Sequence, residues 1–211
     1  NMVNEISNLL DNWEEDSKIK MILISGAGDK AFCAGGDIRA LYESMCSTQG
    51  PIFAETFFES EYRLDYKIHN FSKPILSILD GIVMGGGAGL MFASTYKIAT
   101  ERTRFAMPEI GVGLFPDVGF TSVIKDLPEG LGLYIMLTAS QLNASDMHFC
   151  NLVDSCLSYE KMEDFLSDIL EVAWQDEVNK NLTLLDSILK SSSYLEELET
   201  FPSSKIEGEL E

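Results

Sequence analysis

Apolar residues along the chain follow two spacings, and each spacing predicts a different kind of element. Over residues 1–16 they recur every three to four positions, which predicts an amphipathic helix. The segments 20–25 and 74–79 are instead continuous apolar runs, which are typical of strands covered on both faces in a parallel sheet. Residues 96–99 predict a third strand of the same kind.

Between and after these strands the apolar spacing returns to that of helices. Asp37 is a good N-cap for a helix that runs to about Met45, and the apolar positions of 53–68 mark a second helix. Two helices are predicted within 118–138, and one or two more within 159–190. Strand, loop and helix repeat in this order, so we expect right-handed βαβ crossovers, a mainly parallel sheet and the α/β fold class.

The net charge argues against nucleic acid as a partner and limits how an anionic ligand could bind. The 211 residues are 45% apolar and 23% charged, the usual balance of a folded globular domain. The 15 basic and 34 acidic side chains give a formal net charge of −19, which repels phosphate backbones and anionic lipids. We therefore do not expect nucleic acid or an anionic membrane surface as a partner. A membrane span is not expected either, because no apolar run approaches the roughly 20 residues that it needs. An anionic ligand would need cations gathered locally.

The residue types available for chemistry favour carboxylates. The four cysteines have no metal-ligand spacing and there are only two histidines, so we expect no metal site and reduced thiols in a cytosol-like compartment. Neither a Walker lysine motif nor a GxSxG motif is present. If the protein is an enzyme, its acid and base groups are then carboxyl groups.

Glycine-rich turns follow the predicted strands, and two of them suggest a binding site for an oxyanion. Residues 26–31 match GxGxxA, but no helix opens directly after them, so we interpret this segment as an ordinary turn. The turns around Gly36 and Gly86 each lead from a strand towards a helix, where backbone N–H groups lack intrahelical partners. One N–H group from each turn could form an oxyanion hole. Tight turning and close helix packing are the alternative explanation of these glycines.

Two carboxylates, Glu109 and Asp117, stand in an otherwise apolar stretch punctuated by glycine and proline. Such flanks would desolvate Glu109 and raise its pKa, which suits a general acid or base. The structural alternative is a helix-capping glutamate and a turn aspartate. From residue types and spacing alone, the chain is interpreted as a carboxylate-using α/β enzyme of unspecified substrate.

Three motifs in order carry a resemblance to a known family. They are Ala31-Phe-Cys-Ala-Gly-Gly-Asp37, Gly81-Ile-Val-Met-Gly-Gly-Gly-Ala-Gly89 and Phe105-Ala-Met-Pro-Glu109. Together they resemble the crotonase (enoyl-CoA hydratase/isomerase) superfamily over residues 1 to about 155. The following Gly113-Leu-Phe-Pro-Asp-Val-Gly119 resembles its 3-hydroxyisobutyryl-CoA hydrolase branch.

The resemblance implies a fold and a role for five residues. The fold is the ββα-spiral with C-terminal helices, and the oxyanion hole takes the N–H groups of Gly36 and Gly86. Glu109 and Asp117 correspond to the catalytic carboxylates of the hydrolase branch. Glu61, in Phe57-Phe-Glu-Ser-Glu-Tyr62, corresponds to a glutamate of the substrate pocket. Substrate binding would thus involve Glu61, Gly86, Glu109 and Asp117.

One departure from the hydratase pattern favours hydrolysis. Hydratases carry a second glutamate three residues beyond the oxyanion glycine, and this chain has Gly89 there. The function expected from the resemblance is hydrolysis of a short 3-hydroxyacyl-CoA thioester, most simply 3-hydroxyisobutyryl-CoA in valine breakdown. An enoyl-CoA hydratase or isomerase, and an inactive interaction protein of the same fold, are the alternatives.

The same resemblance sets the expected organisation and surroundings. Residues 1–158 would form the CoA-thioester-binding core, preceded in the family by further strands, and 159–211 a C-terminal helical region. No cofactor is expected, because CoA is part of the substrate. The acyl-CoA is the expected partner, and family members assemble trimers or use an extended helical tail, so a homo-oligomer is a further expectation. The compartment would be the cytoplasm of a bacterium or the mitochondrial matrix of a eukaryote.

Overall fold

Short strands alternate with helices along the whole chain. The computed structural model describes residues 2–46, 50–190 and 201–206. Eight strands lie within these residues. Their bounds are β1 Ile22–Ser25, β2 Ala31–Cys33, β3 Ile75–Leu79, β4 Ile82–Met84, β5 Tyr96–Ala99, β6 Arg104–Ala106, β7 Leu142–Asn143 and β8 Ser155–Cys156.

The strands form two sheets of four, and from β1 to β6 consecutive strands alternate between the two sheets. The first sheet has the order β1-β3-β5-β8 and is parallel throughout. The second has the order β2-β4-β6-β7, in which only the β6–β7 pair is antiparallel. Each strand pair such as β3 and β4 thus adds one strand to each sheet before the chain continues, which is the arrangement of a ββα-spiral. The α/β fold class and the spiral are confirmed.

Nine helices within the described residues cover these sheets. Their bounds are α1 Met2–Glu15, α2 Ile38–Met45, α3 Gly50–His69, α4 Gly86–Ala93, α5 Phe120–Val123, α6 Leu131–Thr138, α7 Ala144–Phe149, α8 Met162–Glu171 and α9 Val178–Leu189. Short 3₁₀ helices occupy Glu109–Val112, Ile124–Asp126 and Tyr159–Lys161. The helices predicted over 1–16, 37–45, 53–68, 118–138 and 159–190 are all present in these elements.

Strand β3 is covered on both faces, so the first sheet lies between two apolar cores. All five of its residues are buried. Ile75 and Leu79 pack into the main core beneath α3 and α4, whereas Leu76 and Ile78 pack into a second core with residues of α8 and α9. Side chains alternate between the two faces of a strand, so a continuous apolar run is what a strand covered on both faces requires.

Two expectations about the strands need correction. The prediction of a strand covered on both faces is right for β3 but wrong for β1, where Leu23 and Ser25 are exposed. A single mainly parallel sheet was the residue-level expectation, and the structure has two sheets. The strands of the second sheet span only two or three residues each, too few for an apolar pattern to form.

The C-terminal residues divide between the sheet and the main core. Helices α8 and α9 cover the outer face of the first sheet. Residues 201–206 return to the main core, where Phe201 and Ile206 are buried and Asp146 accepts hydrogen bonds from Ser204 and Lys205. Much of the last part of the predicted C-terminal region, 191–200 and 207–211, lies outside the described residues. The division at residue 158 stays a prediction. Among the helices of the described residues, none is both long and apolar enough to traverse a bilayer.

Candidate active site

The first glycine turn joins β2 to α2. Gly35 has a φ of +93°, a left-handed conformation that glycine adopts without strain. A Cβ on Gly36 would lie 2.5 Å from Cζ of Phe57, so the close packing of α3 also requires glycine here. Asp37 then caps α2, because its side chain accepts a 2.9 Å hydrogen bond from the backbone N–H of Ala40. The predicted N-cap is confirmed.

The second glycine turn joins β4 to α4 and touches the first. Gly85 has a φ of +53°, and Gly86 is the first residue of α4. A Cβ on Gly35 would lie 3.2 Å from the backbone nitrogen of Gly86, so the two turns meet at backbone distance. Within the described part of the chain, the N–H groups of Gly36 and Gly86 have no hydrogen-bond acceptor. Two unsatisfied donors beside a helix N-terminus are available for an oxygen that carries negative charge.

Glu109 begins the 3₁₀ helix that follows β6, and its side chain is buried. Only 6% of the residue is exposed, and its Oε2 has no hydrogen-bond partner in the structure. Its Oε1 would lie 3.5 Å from a Cβ on Gly85, which puts the carboxylate beside the second glycine turn. Burial raises the pKa of Glu109, and the nearby Asp117 adds to the rise. The direction is the one predicted from its apolar flanks, and a raised pKa suits proton transfer near neutral pH.

Asp117 is held in place by a tyrosine and by a strained backbone. The hydroxyl of Tyr62 donates a 2.5 Å hydrogen bond to Oδ2 of Asp117, and the backbone carbonyl of Asp117 accepts from the N–H of Phe120. The next residue, Val118, has a φ of +43° and is buried. A β-branched residue in this region is strained, and such strain concentrates at functional sites. The turn therefore fixes the direction of the Asp117 side chain.

Glu61 projects from α3 onto the second glycine turn. A Cβ on Gly86 would lie only 2.1 Å from Oε1 of Glu61, so the carboxyl group occupies space that any other residue at position 86 would fill. Burial raises the pKa of Glu61 to about 7, and the charges of Asp117 and Glu109 contribute to the shift. Glu61 thus changes its charge near neutral pH.

One cavity of about 140 Å³ brings the five predicted residues together. Gly36, Glu61, Gly86, Glu109 and Asp117 all line it, with apolar side chains from α3 and from the loop after β6. Its lining contains three carboxyl groups and no lysine or arginine. Over the described residues, no group of three or more histidine, cysteine or acidic side chains is arranged to hold a metal ion. The cavity thus combines unpaired backbone donors with the carboxyl groups of Glu61 and Glu109, whose pKa values are raised, which is suited to acyl transfer.

Two residues of α3 escaped the sequence-based prediction. Tyr62 orients Asp117, and Asp65 lies one helical turn beyond Glu61, with both carboxyl oxygens buried and without a hydrogen-bond partner among the described residues. Tyr62 stands directly beside Glu61 in the sequence, and Asp65 stands beside Leu64 on the apolar side of the helix. A carboxyl group next to a buried helix face was the available signal for Asp65. Cys33 is a half-buried free thiol, and burial raises its pKa, which suits packing better than nucleophilic attack.

The chain is similar in sequence to a known family and to several characterised proteins. A sequence model described as Enoyl-CoA hydratase/isomerase matches residues 1–207. The chain is 38% identical over 192 residues to the mitochondrial 3-hydroxyisobutyryl-CoA hydrolase of Danio rerio, covering 91% of this chain and 50% of that protein. It is 41% identical over 170 residues to the protein of the same name from Mus musculus, covering 81% and 44%. The chain thus spans about half the length of these relatives.

Solved structures agree with the fold. The crystal structure of a carnitinyl-CoA dehydratase from Mycobacterium thermoresistibile superposes with a TM-score of 0.83 at 32% identity, covering 99% of this chain and 56% of that one. An enoyl-CoA hydratase from Rhodobacter sphaeroides superposes with a TM-score of 0.77, also at 32% identity, covering 89% and 57%. The architecture is therefore that of proteins named for reactions of CoA thioesters.

Proposed function

This chain belongs to the enoyl-CoA hydratase/isomerase family, and from that membership we propose that it is a thioester hydrolase acting on a short 3-hydroxyacyl-CoA. The observation that carries the proposal is the single cavity in which two glycine turns meet the carboxyl groups of Glu109 and Asp117. The relatives named 3-hydroxyisobutyryl-CoA hydrolase support 3-hydroxyisobutyryl-CoA as the substrate. The products would be 3-hydroxyisobutyrate and CoA, as in valine breakdown.

The two glycine turns would stabilise the charge that develops during attack. The thioester carbonyl oxygen lies between the N–H groups of Gly36 and Gly86, and becomes an oxyanion as the carbonyl carbon turns tetrahedral. Each preorganised donor contributes roughly 3 kcal/mol in the transition state. These donors supply the electrostatic stabilisation, so the proposed reaction needs no metal and no redox cofactor.

Glu109 is the carboxylate that starts the reaction, by one of two routes. As a general base it takes a proton from water while the water oxygen bonds to the acyl carbon, and the C–S bond then breaks. As a nucleophile its own oxygen bonds to the acyl carbon and expels the CoA thiolate, leaving a mixed anhydride that water hydrolyses. In both routes the sulfur takes up one proton and CoA leaves as the thiol.

Asp117 and Glu61 would recognise the acyl group. Asp117, fixed by Tyr62, accepts a hydrogen bond from the 3-hydroxyl of the substrate or assists proton transfer towards the departing sulfur. Glu61 lines the acyl side of the cavity between the two turns. Hydration of a double bond is disfavoured because Gly89 stands where hydratases carry their second acid. The set of carboxyl groups disfavours an inactive interaction protein.

The CoA portion is polyanionic, although the protein itself has a net charge of −19. Lys30 and Arg39 flank the first glycine turn and are both exposed, so we assign them to the phosphate groups of CoA. The relatives from Danio rerio and Mus musculus are mitochondrial by name, which supports the mitochondrial matrix for a eukaryotic source. For a bacterial source we propose the cytoplasm.

The decisive measurement is release of free thiol from a panel of acyl-CoA thioesters. We expect 3-hydroxyisobutyryl-CoA to be hydrolysed faster than unsubstituted acyl-CoA of equal length, because Asp117 binds the hydroxyl group. Glu109→Gln should lower turnover about 10²- to 10⁴-fold, and Glu55→Gln, an exposed glutamate of α3, serves as the control. Full thiol release by Glu109→Gln would contradict the proposal. Loss of the conjugated absorbance of crotonyl-CoA without thiol release would instead indicate a hydratase. Absence of acyl-CoA binding in calorimetry would indicate an inactive interaction protein.

A further inference from the structure

Two carboxyl groups of α3 fit against two glycines of α4. Glu61 and Asp65 are four residues apart and therefore lie on one face of their helix. A Cβ on Gly86 would lie 2.1 Å from Oε1 of Glu61, and a Cβ on Gly89 would lie 2.5 Å from Oδ2 of Asp65. Each carboxyl group thus takes up the space in front of one glycine. Glu61 lines the active-site cavity, whereas Asp65 does not.

Asp65 separates two further cavities next to the active site. It lines a cavity of about 270 Å³ that also contains Glu61 and Gly86, and another of about 460 Å³ that contains Asp117 and Gly89. Both of its carboxyl oxygens are buried, and neither has a hydrogen-bond partner in the structure. An ionised carboxylate in this condition is costly, because burial removes its hydration and nothing replaces it. The environment therefore disfavours the charged form.

The charges around Asp65 act in the same direction. The other titratable groups on these cavity walls are Glu61, Tyr62, Tyr66 and His69 from its own helix, Cys33 from β2, Asp37 before α2 and Asp117 from the loop after β6. The cavity walls on which Asp65 lies include no lysine or arginine. Burial and the nearby carboxylates of Glu61 and Asp117 raise the pKa of Asp65 to about 8. Asp65 therefore keeps its proton at neutral pH.

We propose that Asp65 is a positioning residue of this site, an uncharged carboxyl group that fills the space beside Gly89 and supports the ionised form of Glu61 in the active-site cavity. The inference rests on the proposed function for its catalytic consequence, but not for the state of Asp65 itself. A charged Asp65 would raise the pKa of Glu61 and add a negative charge beside Asp117. Both effects would weaken the binding of a polyanionic thioester.

The first test is the pH dependence of kcat/KM for wild type and Asp65→Asn, whose amide matches the protonated acid in shape and has no charge at any pH. Near pH 7 the variant should stay within about threefold of wild type, since it replaces an uncharged group. In wild type kcat/KM should fall as pH rises through about 8. In the variant this alkaline fall should disappear. Glu55→Gln is the control and should keep the profile of wild type.

A uniform loss of activity in Asp65→Asn with an unchanged pH profile would mean that Asp65 only packs, and would overturn the proposal. An equal alkaline fall in both proteins would overturn it too.

A second measurement needs no substrate, so it separates this inference from the assignment of the activity. Infrared difference spectra at neutral pH should show the carbonyl band of a protonated carboxyl group in wild type that Asp65→Asn lacks and Glu55→Gln keeps. If wild type releases no thiol, the activity is wrong but this band still decides the state of Asp65. A wild-type spectrum identical to that of Asp65→Asn would overturn the proposal.

Discussion

Removing the titratable group at position 65 should change how the stability of the fold depends on pH. In the unfolded chain an aspartate titrates near its ordinary pKa of 3.8, whereas burial and nearby carboxylates raise the pKa of Asp65 to about 8 in the folded protein. Between these values the folded protein holds one more proton than the unfolded chain. Stability therefore falls as pH rises through this window, and Asp65→Asn removes that contribution.

The magnitude follows from the size of the window. One extra bound proton changes the free energy of unfolding by about 1.4 kcal/mol per pH unit. Between pH 5 and pH 7, Asp65 stays protonated in the folded state, so Glu61 contributes similarly to both proteins. The stability of Asp65→Asn relative to wild type should then increase by about 2–3 kcal/mol over these two units. Domains of this kind are stable by roughly 5–15 kcal/mol, so the change is large.

The assay is equilibrium unfolding in urea at several pH values, followed by the fluorescence of Trp13 and Trp174. Both tryptophans are half-buried, Trp13 in α1 and Trp174 in the loop between α8 and α9, so coincident transitions would also verify two-state unfolding. Glu55→Gln, on the exposed side of α3, should follow the pH dependence of wild type. A stability difference between Asp65→Asn and wild type that is equal at pH 5 and pH 7 would refute the reasoning. It would mean that the Asp65 carboxyl group ionises in the folded protein as readily as in the unfolded chain.

Two further substitutions test other parts of the site. Gly86→Ala keeps the backbone N–H but puts a Cβ 2.1 Å from Oε1 of Glu61, so it should displace Glu61 and lower kcat/KM by about 10- to 100-fold. Gly111→Ala, where a Cβ meets nothing within 4 Å, is the matched control, and equal activity of both variants would contradict the role of Glu61. Charge reversal at Lys30 and Arg39 should raise KM for the thioester more than it lowers kcat, as measured in steady-state kinetics. Reversal at exposed Lys18 and Lys125 changes the net charge equally and should leave KM unchanged; the same KM in both double variants would refute phosphate binding by Lys30 and Arg39.

The sequence predicts those features that depend on long patterns or on conspicuous residue types. Strand β3 was predictable because both of its faces are buried and its five residues form one apolar run. The strands β2, β4 and β6 were not, because three residues are too short for alternation to be seen. The glycine turns could be found because their glycines stand out in the sequence, although they directly follow the unpredicted strands β2 and β4. Their contact at backbone distance depends on how the two sheets stack.

The site itself was predictable in part. Glu109 and Asp117 stood out as acids in an apolar stretch, and Glu61 emerged from the family resemblance. Asp65 was missed because 34 acidic residues occur in the chain, and its place beside Leu64 on the apolar side of α3 is a weak signal among so many acids. Its importance depends on which residue of another helix it faces. The docking of residues 201–206 was missed for a similar reason, since hydrogen bonds to Asp146 join segments that are about sixty positions apart.

The fit of Asp65 against Gly89 also restricts how this site could evolve. A glutamate introduced at position 89, the feature that distinguishes a two-glutamate hydratase, would place its Cβ 2.5 Å from Oδ2 of Asp65 and 2.9 Å from Cβ of Val118. Both neighbours would have to shift, and a smaller residue at position 65 would relieve the contact with Asp65 but not the one with Val118. The effect of a glutamate at position 89 should therefore depend on the residues at positions 65 and 118, so a change from hydrolase to hydratase chemistry in α4 is coupled to α3 and to the loop before α5.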